Sequence, residues 1–158
     1  MFKEYFIIII IFLLILMSNI TVENKDSKYY LKKNNKYISP WNDICLFKNY
    51  ETYNFVCEIP KGTRAKMEMC KEVKYNPIVQ DTEDGSPRIF KYKSIPFNYG
   101  FLPQTWEDPD KKCEVTGCFG DSDPVDVIEL SSKSYKIGEV VPIKILGAIP
   151  IIDNNETD

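Results

Sequence analysis

A chain of 158 residues with 44% hydrophobic content and a formal net charge of −3 can bury one core, and not comfortably two. Histidine is absent, which excludes Ser-His-Asp and Cys-His catalysis, HExxH zinc sites and His-based proton relays. A general base must then be a carboxylate, or else Lys, Tyr or Cys, and the mild acidity gives no electrostatic reason to expect a nucleic-acid partner.

The amino terminus reads MFKEYFIIIIIFLLILMSNITVE, apolar without a break from Tyr5 to Met17. A spanning helix wants about 20 apolar residues and a signal core roughly 7–15. Residues 1–22 are therefore expected to be a signal peptide. The small-residue cleavage pattern near Ser18 is poor, so an uncleaved anchor is the alternative. Membrane contact is expected through this segment alone, with delivery to the secretory route or an organelle. KDSKYYLKKNNKY, Lys25 to Tyr37, is rich in Lys and Asn. Residues 23–36 are expected to form a polar, basic linker, or the second part of a bipartite plastid-type leader, with the domain at 37–158.

From Tyr37 the punctuation is Pro and Gly between short alternating runs, the mark of a β-rich chain. YNFVCEI (Tyr53 to Ile59) puts Tyr53, Phe55, Cys57 and Ile59 on one face, with Asn54, Val56 and Glu58 on the other. After the turn PKGT, RAKMEMCKE alternates again, with Arg64, Lys66 and Glu68 on one face and Ala65, Met67 and Met69 opposite. A hairpin of these two strands would gather Glu58, Lys66 and Glu68 on one surface. From this hairpin alone, an ordinary solvated face with cross-strand ion pairs is the preferred explanation of that pattern.

TEDGSPR is a turn leading into RIFKY, and PFNYGFLPQTWEDPD is a shaped loop. VDVIEL alternates, and VVPIKILGAIPII is apolar enough for a long buried strand. The five cysteines fit no zinc spacing, and Cys57 and Cys70, in apolar or strand-like runs, are expected to be small buried thiols. A Cys113–Cys118 bridge is conceivable in an oxidising compartment.

GDSDPVDVIEL places Asp121, Asp123 and Asp126 within six residues. Three carboxylates so close repel unless a cation or hydrogen-bond donors compensate. Gly120 permits a tight turn and Pro124 stiffens it, so the turn can aim several carboxylates at one point. Oxygen-only donors favour a hard cation, Mg²⁺ or Mn²⁺. An EF-hand fails: its fifth position is Val125, its sixth Asp126 instead of Gly, and its twelfth Ser132 instead of Glu. Asp153 and Asp158 in IIDNNETD form a second acidic group. A solvated acidic turn stays open as the plain alternative.

The wording of these segments is more specific than their pattern. GDSDPVDVIEL with NYGFLPQTWEDP closely resembles the signature of the soluble (family I) inorganic pyrophosphatases, and WEDP their eukaryotic-type branch. The resemblance extends through YISPWNDICL, CEIPKGTRAKMEM, NPIVQDTEDGSPR and ILGAIPIIDNNETD, covering Tyr37 to Asp158. It implies a mainly β (α+β) fold, a five-stranded OB-like closed barrel flanked by helices. It also implies Mg²⁺-dependent hydrolysis of pyrophosphate, with Mn²⁺ as a substitute ion, and a homodimer as the assembly to look for. By the resemblance Asp121, Asp126, Asp153 and Asp158 match metal ligands, and Glu58 and Glu68 match acidic groups of the metal shell. Asp123 matches the carboxylate that takes a proton from the attacking water. Lys66, Arg88 and Tyr99 match groups that contact phosphate.

Two departures stand out. The family commonly has Tyr where this chain has Ile95, and it continues past Asp158 with Trp-Lys, a further barrel strand and helices. The barrel is therefore expected to be incomplete at its carboxyl-terminal end. A catalytically inactive, truncated metal- or phosphate-binding remnant that associates with a full-length subunit is the alternative to an active hydrolase.

Overall fold

The computed structural model describes residues 19–91 and 93–157. The apolar run from Tyr5 to Met17, with the signal or anchor expected there, lies outside the described residues, as does Asp158. Among the described residues every regular element is a strand. In chain order they are β1 (Ile20–Lys25), β2 (Lys28–Lys33), β3 (Lys36–Ile38), β4 (Phe47–Asn49), β5 (Thr52–Ile59), β6 (Met67–Met69), β7 (Ile78–Gln80) and β8 (Thr82–Glu83). They continue with β9 (Ser86–Pro87), β10 (Asn98–Phe101), β11 (Phe119–Gly120), β12 (Asp126–Glu129), β13 (Val140–Ile143), β14 (Ile152–Asp153) and β15 (Glu156–Thr157).

Two sheets carry the fold. One runs β1-β2-β7-β6 with β3 added on β2, and the other runs β12-β10-β5-β13 with β4 added on β5. A small sheet β11-β15-β14 and the pair β8-β9 complete the set, and neither main sheet closes on itself. The expected hairpin between the strands of YNFVCEI and RAKMEMCKE does not form, because β5 and β6 belong to different sheets. The Pro60–Ala65 connection carries the chain from one layer to the other. Both faces of β5 are consequently buried. Val56 and Ile59 pack with Met67, Met69, Ile78, Ile95 and Phe101, while Phe55 and Cys57 pack with Val141.

Residues 23–36, expected as a linker, are strands. Two-residue turns connect them: Asp26-Ser27 (φ 52° and 62°) between β1 and β2, and Asn34-Asn35 (φ 52° and 61°) between β2 and β3. Paired left-handed residues are the turn whose twist suits a hairpin, and Asn and Asp tolerate that conformation. Leu31 on β2 is fully buried. A Cβ on Gly138 would lie 3.0 Å from its Cδ1 and 3.0 Å from Val22 Cγ2, so the amino-terminal hairpin packs directly on the domain.

The long buried strand expected from VVPIKILGAIPII is also corrected. Strand pairing stops at Ile143, and Leu146 and Ile149 are 88% and 83% exposed. No element among the described residues covers this segment.

The tightest point lies between β10 and β5. A Cβ on Gly100 would sit 2.0 Å from the Val56 carbonyl oxygen and 2.9 Å from the Glu58 nitrogen, at the register shift between Tyr99 and Gly100. The obstructing atoms are backbone and cannot rotate away. Gly100→Ala should therefore lower stability by about 3 kcal/mol, read as a fall in the urea midpoint of the chain at unchanged slope.

Candidate active site

The acidic loop is held by backbone before any side chain acts. Glu107 N–H donates to the Asp123 carbonyl at 2.8 Å, Ser122 N–H returns a bond to the Glu107 carbonyl at 3.0 Å, and Gly120 N–H donates to the Asp108 carbonyl at 3.2 Å. The WEDP segment is thus the rail on which the three aspartates are mounted. A Cβ on Gly120 would come within 2.5 Å of the Glu107 backbone, which explains the glycine ahead of the cluster. Ser122 takes φ 71°, and Asp121 Oδ1 accepts the Asp123 N–H at 2.8 Å. Pro124 is buried.

Asp123 and Asp126 then each meet a donor from another element. Lys71 Nζ lies 2.5 Å from Asp123 Oδ1 and donates to the Ser122 carbonyl at 3.4 Å. Burial pulls the Lys71 ammonium down. Its bond to Asp123 and the negative field of Asp123, Asp121 and Glu72 outweigh that, so its pKa is raised overall. The phenol of Tyr99, on β10, donates to the carboxylate of Asp126 on β12.

Glu58 stands where the two sheets meet. It is 5% exposed, and its Oε1 accepts the Met69 N–H of β6 at 2.6 Å. Burial, followed by the negative charge of Asp126, pushes its carboxyl well above the ordinary carboxylate range. The Met69 bond opposes the rise, and Glu68 and Asp123 add to it. The field that acts on Glu58 is thus that of the acidic loop and β6 together.

A basic pair flanks this region. Lys66 Nζ is 3.4 Å from Glu68 Oε2 and 3.6 Å from Asp81 Oδ2, while Arg88 Nη1 is 2.5 Å from the same Asp81 oxygen. The backbones are laced as well: Lys66 N–H donates to Arg88 at 3.1 Å, Asp81 N–H to Lys66 at 2.9 Å, and Arg88 N–H to Asp81 at 2.8 Å. Asp81 is the hub that sets the two cations side by side.

The sequence-predicted residues thus fall into groups. Asp126, Glu68 and Asp123 act electrostatically on Glu58, with Asp121 and Tyr99 attached through bonds within the loop and across β10-β12. Lys66 and Arg88 share Asp81. Asp153 lies exposed on β14, paired with Glu156. Its hairpin is tied to the acidic loop through β15, where Thr157 pairs with Gly120 of β11. Among the described residues no three Cys, Asp or Glu side chains stand close enough to enclose an ion. Ile95 is packed into the core.

Sequence reasoning missed Lys71, Asp81 and Asn98. Asn98 is fully buried; its Oδ1 accepts Lys61 N–H at 2.9 Å and Tyr135 N–H at 3.1 Å, and its Nδ2 donates to Glu129 at 2.7 Å and to the Lys133 carbonyl at 2.8 Å. All its polar capacity is used in anchoring loops beside Tyr99. The only available signal was an Asn beside a Tyr in an aromatic segment, which does not announce burial.

Comparison with known proteins matches residues 55–158 to the family described as inorganic pyrophosphatase. The chain belongs to the inorganic pyrophosphatase family. It is 47% identical over 131 residues to the soluble inorganic pyrophosphatase 6, chloroplastic, of Arabidopsis thaliana, covering 82% of this chain and 43% of that protein. It is 40% identical over 153 residues to the inorganic pyrophosphatase of Homo sapiens, covering 90% and 53%.

Among solved structures it resembles the type I inorganic pyrophosphatase from Toxoplasma gondii, with TM-score 0.81 and 39% identity over 90% of this chain and 66% of that one. It also resembles the N-terminal domain truncated vacuolar soluble pyrophosphatase of Trypanosoma cruzi in complex with PPi, with TM-score 0.79 and 36% identity over 89% and 61%. The chain spans about half the length of the curated relatives it matches. The fold is the OB-like fold of this family, with its sheets open.

The role of Glu58 in joining the sheets separates two substitutions. Glu58→Ala leaves the Met69 N–H buried without an acceptor and should cost about 1–3 kcal/mol. Glu58→Gln keeps a neutral acceptor in place and should cost less than half as much. Chemical denaturation of both variants in the presence of chelator checks this.

Proposed function

We propose that this pyrophosphatase-family chain hydrolyses pyrophosphate to two phosphates with the help of Mg²⁺. The observation that carries the reading is the buried carboxyl of Glu58, raised by burial and by the negative charge of Asp126, Glu68 and Asp123. Such an excess of carboxylate around one low-dielectric point is relieved by a cation. The donors are oxygens only, which fits Mg²⁺, with Mn²⁺ as a substitute. Asp121, Asp126, Glu58 and Glu68 would hold it, joined by Asp153 from the carboxyl-terminal hairpin and by Asp158. When bound, such ions lower the pKa of water and offset charge on phosphate oxygens.

The chain's own residues supply the rest. Asp123 accepts the proton of the attacking water at its carboxylate, and Lys71, which pairs with it at 2.5 Å, holds that carboxylate in place until substrate arrives. Lys66, Arg88 and the Tyr99 phenol bind phosphate oxygens and offset the charge that grows as the bond breaks. Arg88 offers a planar fork suited to two oxygens at once, Lys66 a point charge.

A second reading rests on the exposed apolar segment around Leu146 and Ile149. It makes the chain a metal- or phosphate-binding remnant that pairs with a full-length subunit through that surface. We also propose a homodimer for the active form. For location we propose an organelle or the secretory route, supported by the apolar run at Tyr5–Met17 and by a relative named as chloroplastic.

The deciding experiment is phosphate release from pyrophosphate by the whole chain, not one begun at Tyr37, because β1 and β2 belong to the fold. Turnover should require Mg²⁺, stop with chelator, and fall by about 10²- to 10⁴-fold in Asp123→Ala. Folded chain that binds Mg²⁺ without turnover would favour the remnant instead.

A further inference from the structure

Cys113 and Cys118 flank a short loop between the WEDP segment and Asp121, and the hydrolase chemistry makes no use of them. Lys112 and Phe119 form an antiparallel bridge, so the next pair inward in register is Cys113 opposite Cys118. Cys113 N–H donates to the Cys118 carbonyl at 2.9 Å, and Gly117 N–H, with φ 73°, donates to the Cys113 carbonyl at 2.9 Å. The Cys118 N–H turns instead to the Thr116 hydroxyl at 3.2 Å, and residues directly opposed across antiparallel chains have Cα atoms about 4.5–5.5 Å apart, inside the disulfide window of roughly 4.4–6.8 Å.

The two thiols also converge on one residue. Cys118 Sγ donates to the Thr116 carbonyl at 3.8 Å. The Cys113 sulfur receives the backbone N–H of Thr116, with those of Val115 and the Thr116 hydroxyl, and this lowers its pKa against a small opposing effect of burial and Glu114. Both cysteines are half-buried and carry free thiols. Cys57, also a free thiol, differs in surroundings: it is buried, and desolvation with the charges of Glu58, Glu139 and Glu129 pushes its thiol up to about 12.

We propose that Cys113 and Cys118 are a redox-active pair that closes to a reversible disulfide when oxidised by a hydroperoxide. The thiolate of Cys113 attacks one peroxide oxygen, the O–O bond breaks, and with a proton the leaving oxygen departs as water, giving a sulfenic acid. The sulfur of Cys118 then attacks that sulfenic sulfur, the S–O bond breaks, and hydroxide leaves with the Cys118 proton as a second water. Two thiols lose two electrons and hydrogen peroxide is reduced to two waters. The order follows from thiolate character and exposure, which favour Cys113 as the attacking group.

The bridge would clasp a loop with two attachments of consequence. Thr157 Oγ1 donates to the Cys118 carbonyl at 3.1 Å and lies 2.5 Å from Thr116 Oγ1, which fastens β15, while Gly120 leads straight into Asp121. Formation of the disulfide does not depend on the proposed hydrolysis.

The test treats the whole chain with a slight excess of hydrogen peroxide, then blocks remaining thiols with an alkylating reagent and reads intact and peptide masses. The expected product has lost two hydrogens, with residues 113 and 118 bridged and shielded from alkylation. Dithiothreitol restores both thiols, and Cys113→Ser and Cys118→Ser each abolish the product. Cys57 stays alkylatable once the chain is unfolded. An oxygen adduct on one cysteine without a bridge, a bridge to Cys45 or to another chain, or two thiols still alkylatable would each overturn the proposal.

Discussion

A carboxyl group buried between two sheets constrains everything near it. Glu58 sits on β5, both of whose faces are packed, and its bond to Met69 N–H crosses to β6 of the other sheet. Holding an ionised carboxylate in such a place costs several kcal/mol even after the surroundings relax. One backbone donor does not offset that, and the charged neighbours that act on it most strongly, Asp126, Glu68 and Asp123, are all negative. Burial and these neighbours therefore favour its neutral form over its charged one. Sheet spacing and site electrostatics are thus one problem, solved at one residue.

The acidic loop sharpens the problem because it cannot spread. Its backbone exchanges bonds with Glu107 and Asp108, Gly120 is pressed against the same backbone, and Asp121 is turned inward onto the Asp123 N–H. Repulsion among the aspartates is met from outside instead, by Lys71 from the chain after β6 and by Tyr99 from β10. Asp81 plays the converse part for Lys66 and Arg88, holding two cations together. With Glu68 as the second anion beside Lys66, two carboxylates balance the two cations, and any anion entering there would compete with Asp81 for both.

Much of this was legible in the residues and some was not, for identifiable reasons. The acidic cluster, the glycine before it and the oxygen-only donor set could be read because each residue type does something specific there. The pairing of strands could not. Alternation in YNFVCEI and RAKMEMCKE suggested a hairpin, yet alternation reports faces and not partners: β5 pairs with β4 a few residues before it and with β10 and β13 about 40 and more residues after it. Asn34-Asn35 and Asn154-Asn155 were passed over as polar sequence, although two residues that tolerate left-handed φ between alternating runs are a hairpin signal in their own right. Lysine-rich strands hid β1 and β2 because half of an edge hairpin faces water. Asp81 and Lys71 acquire their roles only through partners distant in sequence, which no local pattern encodes.

The carboxyl-terminal hairpin shows how attachment without burial behaves. Ile152 on β14 is exposed, as are Leu146 and Ile149 before it, so β14 and β15 are held by the parallel pairing of Phe119 and Gly120 with Glu156 and Thr157 and by the Thr157 hydroxyl. Hydrogen bonds of this kind contribute about 1 kcal/mol each, net, and regions held so lightly open at free energies far below that of the whole domain. Asp153 is therefore placed by a soft junction whose other side is the Cys113–Cys118 loop, whereas Asp121 is placed by the bonds of its loop to the Glu107 and Asp108 backbone and Asp126 by the β10-β12 ladder. Burying apolar surface along residues 145–152 would add about 25 cal/mol for each Å² covered. A few hundred Å² would then outweigh every hydrogen bond now holding the hairpin. The carboxylates of this site thus differ in how firmly the fold holds them, and Asp153 is the one whose position depends on what lies against its apolar neighbours.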